Sequence, residues 1–226
     1  MRERIADLFR GPRTRTVGVV YFLFFLTTAA GVAFTPGALK DIQSHESLFR
    51  LGYALTLIST VFYVALVALF YPLFRPVGRR LSVMAVFFGL VGCALGAVQS
   101  VFQLAVLVIL GNSSSSGFSV GQLHALAQIS LDVSGQAGSV AIIFFGVFQL
   151  LIGYLIFKSG FLPRILGVLM ALGGLGWLTF LYPPLASHLF TLLAIVGILA
   201  EGPLMLWLLV VGVSVQQWNQ RAASAQ

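Results

Sequence analysis

Charge is what this sequence has least of. Only 8% of its 226 residues are Asp, Glu, Lys or Arg, where a soluble domain carries about 25%. Hydrophobic residues make up 59%, with a mean hydropathy of +1.01. Such a chain cannot cover itself with a water-facing surface, which excludes a soluble globular domain and leaves a protein that uses the bilayer as its solvent. Cysteine is almost absent. Cys93 stands alone inside an apolar run, so neither an internal disulfide nor a cysteine-based metal cluster can form, and space filling is its expected role. Long polar stretches are also missing, so residues 1–226 read as a single membrane domain. Catalytic signatures are missing too: there is no Gly-x-Ser-x-Gly elbow, no phosphate-cradling Gly-rich loop with Lys, no His-Glu-x-x-His pair, and no second acid within an apolar run,. The net charge of +7 does not point to nucleic acid, because the basic residues fall between apolar runs and not along one amphipathic face.

What is present is a series of apolar runs, each long enough to cross the hydrocarbon core as a helix, which takes about 20 residues. Six spans are predicted: Val17 to Thr35, Leu51 to Phe74, Leu81 to Leu110, Ala137 to Phe157, Ile165 to Tyr182 and Leu189 to Val213. The expected fold class is therefore all-α, a polytopic transmembrane helical bundle. The small residues Ala29, Ala30, Gly31 and Ala33 resemble a signal-peptide cleavage region, but the run is longer than a typical signal core and more spans follow, which predicts an uncleaved signal anchor. Pro36 to Arg50 reads as a loop and Gly111 to Gly117, with four serines, as an exposed tip. Ser119 to Val133 is weakly amphipathic and is expected as a helix on the membrane surface. The elbow Lys158 to Arg164 and the turn at Pro183-Pro184 separate the last three spans, and the polar tail from Ser214 is expected to fray. The elbows at Phe74-Arg75-Pro76 and Phe161-Leu162-Pro163 share chemistry, yet unequal spacing beyond them argues against an internal duplication,.

Basic residues orient this bundle. With six spans, all thirteen Lys and Arg except Lys40 and Arg50 fall on the side of the two termini, and the positive-inside rule then makes both termini cytoplasmic. Five of these residues, Arg2, Arg4, Arg10, Arg13 and Arg15, crowd the N-terminal segment. There Ile5, Leu8 and Phe9 allow either a short helix on an anionic leaflet or a plain topogenic tail.

Within the spans, polar residues recur at helical spacing. Tyr53, Thr56, Thr60 and Tyr63 share one face of the second span, Gly92, Gly96, Gln99 and Gln103 one face of the third, and Ser139, Gly146, Gln149 and Gly153 one face of the fourth,. Small residues let helices approach closely and Gln hydrogen-bonds between them, so these faces are expected to point into the bundle. The last span holds one carboxylate, Glu201, followed by Gly202-Pro203. An intramembrane acid is costly and is by default a functional candidate. Tyr63, Gln149 and Glu201 lie at similar depth and can meet. Desolvation favours the neutral acid, which donates to Gln149 or to a ligand, whereas a titrating acid carries a proton. Pro203 lacks an amide hydrogen and frees a carbonyl one turn earlier, near Leu199. The plain structural alternative is an acid that pins two helices together. His45, His124 and His188 fall on the side away from the termini with Asp41, Glu46 and Asp132, but no ligand spacing supports a metal there,.

The elbow string Gly153-Tyr154-Leu155-Ile156-Phe157-Lys158-Ser159-Gly160-Phe161-Leu162-Pro163-Arg164-Ile165-Leu166-Gly167 resembles a bacterial family of integral membrane proteins known as domain of unknown function 4386. Ser47-Leu48-Phe49-Arg50-Leu51-Gly52 and Glu201 fit the same pattern. The chain departs from that pattern at Asp132-Val133-Ser134-Gly135, where members often carry His. The resemblance implies a multi-helix protein of a bacterial inner membrane and supplies no activity. The residues lead to a binding or transport module for a small amphipathic or proton-coupled ligand, or for a lipid. Glu201 is its polar anchor, with Tyr63, Gln99, Gln103 and Gln149 as supporting groups. An enzyme using Glu201 as acid or base, and a structural or regulatory partner of another membrane protein, remain the alternatives.

Overall fold

A computed structural model of the chain describes residues 14–35, 39–111 and 117–224. The basic segment before Thr14, Pro36 to Ala38 and most of the serine tip lie outside the described residues. The described chain forms α1 (Thr14–Phe34), α2 (Leu39–Ser44), α3 (Glu46–Phe74), α4 (Arg79–Gly111), α5 (Val120–Ser159), α6 (Arg164–Leu178) followed by a 3-10 turn (Thr179–Leu181), α7 (Pro183–Val210) and α8 (Val215–Ser224). Six of these, α1, α3, α4, α5, α6 with its 3-10 turn, and α7, are long and apolar enough to cross a membrane. The protein is a multi-pass, all-helical membrane protein.

The spans stand as a ring in chain order. Each packs on the span before and after it, and α1 closes the circle against α7. Glycine lets these seams close tightly. At the α5–α6 crossing a Cβ on Gly153 would lie 2.7 Å from the carbonyl oxygen of Gly167, and one on Gly167 would lie 2.6 Å from that of Gly153. Backbones this close admit no side chain, which is how small residues hold helices together where lipid offers no hydrophobic drive.

Three segments differ from the sequence reading. The segment 119–133 does not lie on the surface as a separate helix. Ser119 caps α5 through a capping box with Gln122, and the helix then runs unbroken for 40 residues, about 60 Å at 1.5 Å per residue. Gly135 and Gly138 weaken a helix without stopping it, because each keeps its amide hydrogen. The stretch Pro36 to Arg50 is not all loop: it contains α2 and the first turn of α3, where Arg50 pairs with Glu46 at 2.6 Å. The tail does not fray. After a turn at Gly212 in left-handed backbone (φ 77°), α8 docks under the bundle. The Trp218 indole donates to the Leu73 carbonyl (3.0 Å) and Arg221 to the Lys158 carbonyl (3.0 Å). Pro183-Pro184 do separate the last two spans, but they sit in the first turn of α7, where a missing amide hydrogen costs nothing. His188 therefore lies inside the helix.

The apolar core is concentrated towards the end of the ring that bears Thr14 and Val210. Leu66, Phe70, Phe74, Phe148, Ile156 and Leu208 are fully buried there, and the two elbows touch through stacked Phe74 and Phe161 rings, 6.2 Å between centroids. A smaller cluster of Ile42, Phe49, Val106, Leu107 and Ala127 joins α2, α3, α4 and α5 at the other end.

Candidate functional site

Between these two packed regions the ring is hollow. A cavity of about 500 Å³ takes lining residues from all six spans, within the usual range for small-molecule pockets. Helical spacing explains which residues reach it: Phe24 and Thr28 on α1; Thr56, Ser59, Thr60 and Tyr63 on α3; Cys93, Gly96 and Gln99 on α4,. From α5 come Gly138, Ser139, Phe145 and Gln149, and from the last two spans Trp177, Phe190 and Glu201. On α1, α4 and α6 these residues lie towards the C-terminal end, and on α3 and α7 within the N-terminal two-thirds. The cavity thus occupies the half of the bundle away from Thr14 and Val210.

At its deep end three helices meet at Glu201. The Tyr21 hydroxyl donates to one carboxylate oxygen at 2.7 Å, and the Gln149 amide donates to the other. Tyr21 is fully buried beneath Phe24, Phe25 and Phe70. Gln149 is buried as well, with its amide oxygen lacking a hydrogen-bond partner. That oxygen faces Gly173 of α6, where a Cβ would come within 3.0 Å of it and within 2.5 Å of the Ala200 Cβ. The absence of a side chain at Gly173 thus makes the notch that holds the amide against Glu201. No Lys, Arg or His lines the cavity, and no ion pair to Glu201 is formed among the described residues. A carboxylate accepts about four hydrogen bonds, so two acceptor positions remain on Glu201 after Tyr21 and Gln149.

The wall around Glu201 carries both aromatic rings and hydroxyls. Tyr63 packs on Phe24 (4.6 Å) and Phe145 (4.8 Å), and its hydroxyl has no hydrogen-bond partner among the described residues. The Thr56, Ser59, Thr60 and Ser139 hydroxyls donate to carbonyls of their own helices. Their hydrogens are committed, and what they offer inward is lone pairs.

Of the residues singled out from the sequence, Glu201, Gln149, Tyr63 and Gln99 line this one cavity. Gln103, one turn beyond Gln99, does not. Its amide oxygen is buried without a partner, at the level where Val106 and Leu107 join the second apolar cluster. Tyr53 also stays outside the cavity, although Thr56, Thr60 and Tyr63 of its stripe enter it. Tyr21 was missed by the sequence reading; its spacing of three and seven from Phe24 and Thr28 was the available signal, since it places all three on one face. Among the described residues no group of three or more His, Cys, Asp and Glu is close enough to hold a metal ion. Asp132 hydrogen-bonds Gln128 at an exposed site (3.0 Å), and His45 faces the Asp41 carbonyl at 3.3 Å.

Comparison with known proteins adds a family and no activity. A family model described as Domain of unknown function (DUF4386) matches residues 16–212, which takes in all six spans except Thr14 and Arg15 of the first. No curated protein and no solved structure matches the chain.

Proposed function

We propose a function from the cavity itself, on the premise that this chain belongs to the family of domain of unknown function 4386, whose description assigns none: the protein is a binding or transport module for a small amphipathic ligand, with Glu201 as its polar anchor. One observation carries this reading. The single intramembrane acid sits at the closed end of a cavity to which all six spans contribute, hydrogen-bonded from two other helices. A carboxylate that merely pinned helices together would be satisfied in a packed interface. This one retains free acceptor positions and faces about 500 Å³ of open space. Tyr63, Gln99 and Gln149 line the same space and supply further polar contacts, whereas Gln103 lies outside the lining.

The side of access follows from the distribution of charge. Lys and Arg gather at the ends bearing Arg15, Arg75, Arg164 and Arg221, so these ends are cytoplasmic and the cavity is entered from the opposite side or from that leaflet. The membrane in question is the bacterial inner membrane, as the family resemblance of the elbow and of Glu201 implies. An enzymatic role draws less support, since Glu201 is the only acid among the lining residues and no histidine joins it.

Native mass spectrometry of the full chain released from nanodiscs tests the reading. Wild-type protein is expected to retain a small-molecule or lipid mass that Glu201→Gln loses at matched lipid composition. Bare protein in both cases, with binding assays equally silent, refutes it.

A further inference from the structure

Resting on that reading of the cavity as a ligand site, we infer that its ligand class is an organic cation: an amphipathic ammonium whose head meets Glu201 and whose apolar body lies among the aromatic rings. Three independent features of the lining converge on this chemistry.

The first is the sign of charge. Glu201 is the one carboxylic acid among the lining residues and none of them is basic. Its two protein partners, Tyr21 and Gln149, are neutral donors, so neither balances the charge of the carboxylate. In surroundings of low dielectric a charge is tolerated when an opposite charge lies beside it, and an ammonium entering from the cavity would supply one. An anionic ligand would meet repulsion with no compensating group.

The second is the direction of the hydrogen bonds on offer. Thr56, Thr60, Ser59 and Ser139 have each spent a hydrogen on a backbone carbonyl, and two lone-pair positions of Glu201 are open. The cavity is therefore rich in acceptors, and the donors that line it without a partner among the described residues are the neutral ones of Thr28, Tyr63, Gln99 and Trp177. An ammonium donates up to three hydrogen bonds and accepts none, which matches this surface. A carboxylate or phosphate ligand would find those neutral donors but would leave the open lone pairs of Glu201 unmet and set its own charge against that of the carboxylate.

The third is the wall. Phe24, Tyr63, Phe145, Trp177, Phe180 and Phe190 all line the cavity. Aromatic faces attract cations through their quadrupole and cover an apolar body equally well. A volume of about 500 Å³ exceeds what a bare metal ion or a proton path needs and fits a small molecule.

The test uses the full chain in nanodiscs and three probes of similar shape but different charge: phenethylammonium, phenethyl alcohol and phenylacetate. Binding is read by titration calorimetry with empty nanodiscs subtracted. Wild type is expected to bind phenethylammonium about 10- to 100-fold more tightly than the alcohol, the span expected of a hydrogen bond to a charged group, and phenylacetate most weakly. Glu201→Gln is expected to erase that preference, leaving the cation bound no better than the alcohol. Tyr21→Phe, which keeps the charge and removes one donor, is expected to retain it. The wild-type ranking needs no variant and stands even if Glu201→Gln fails to fold. Equal or tighter binding of the alcohol or of phenylacetate overturns the cation while leaving a ligand site. Failure of all three probes to bind folded wild type overturns both.

Discussion

Replacing Gly173 by Ala is the sharpest test of how the site is built, because the same helix contains its own control. A Cβ at Gly173 would stand 2.5 Å from the Ala200 Cβ and 3.0 Å from the Gln149 amide oxygen, whereas carbon atoms rest at about 3.5–4.0 Å. Relief requires α6 and α7 to part by about 1 Å, or Gln149 to leave Glu201. Overpacking of this kind costs about 1–3 kcal/mol, against a helix-propensity gain of about 0.5–1 kcal/mol for Gly→Ala. A net loss of about 1–2 kcal/mol is expected. One turn further on, a Cβ at Gly176 would meet nothing closer than Leu193 Cδ2 at 3.4 Å, ordinary contact, so Gly176→Ala is expected to be neutral or slightly stabilising. Unfolding in mixed micelles of dodecyl maltoside and SDS, followed by tryptophan fluorescence, places both variants on one scale. Equal stability of the two, or a Gly173→Ala protein at or above wild type, refutes the packing of α6 against Gln149 and Ala200 described above.

Three further outcomes are expected. Tyr21→Phe removes a hydrogen bond to Glu201 across the α1–α7 seam and should cost about 0.5–2 kcal/mol; a double-mutant cycle with Glu201→Gln should recover most of that as coupling, and zero coupling sinks the contact. With Cys93→Ser as background, cysteine introduced at Ser139 should react with a membrane-impermeant thiol reagent from outside intact cells, whereas cysteine at Ser224 should react only after permeabilisation; reaction of both from one side refutes the orientation. Trp218→Ala removes a buried ring and its bond to the Leu73 carbonyl, so hydrogen exchange should rise across 215–224 while the spans stay protected; unchanged protection there means that α8 is held by other contacts.

The spans were legible in the sequence because membrane crossing is a matter of length and apolarity, which composition carries directly. The polar positions that face inward were legible for a related reason: in a lipid-facing helix Gln149, Gln99 or Glu201 is out of place, so its face betrays the interior. Tyr21 lacks that contrast. A phenol beside Phe24 and Phe25 reads as one more aromatic, and only Glu201, 180 positions away, gives its hydroxyl a purpose. Gln103 misled for the opposite reason, since it shares the spacing of Gln99 but lies at a depth filled by apolar packing. Local composition also misjudged helix ends. The Ser-Gly-Gln-Ala-Gly stretch from Ser134 looks like a break, yet tertiary contact with α4, including the Ser134 hydroxyl on the Gln99 carbonyl (3.1 Å), carries α5 straight through it. The docked tail is a long-range event of the same kind, since Trp218 finds its acceptor in Leu73.

The order of the ring has a consequence for how the protein is made. Each span packs on its chain neighbour, so hairpins can assemble in sequence as the ribosome delivers them, and each new helix finds its partner already in the membrane. One seam cannot form this way. α1 must wait for α7, and the Tyr21–Glu201 hydrogen bond, which spans that seam, forms only when the last crossing helix has been inserted. A chain halted after α6 contains five of the six walls but not Glu201. The site is therefore completed in a single late step, when α7 brings Glu201 to five walls already in place.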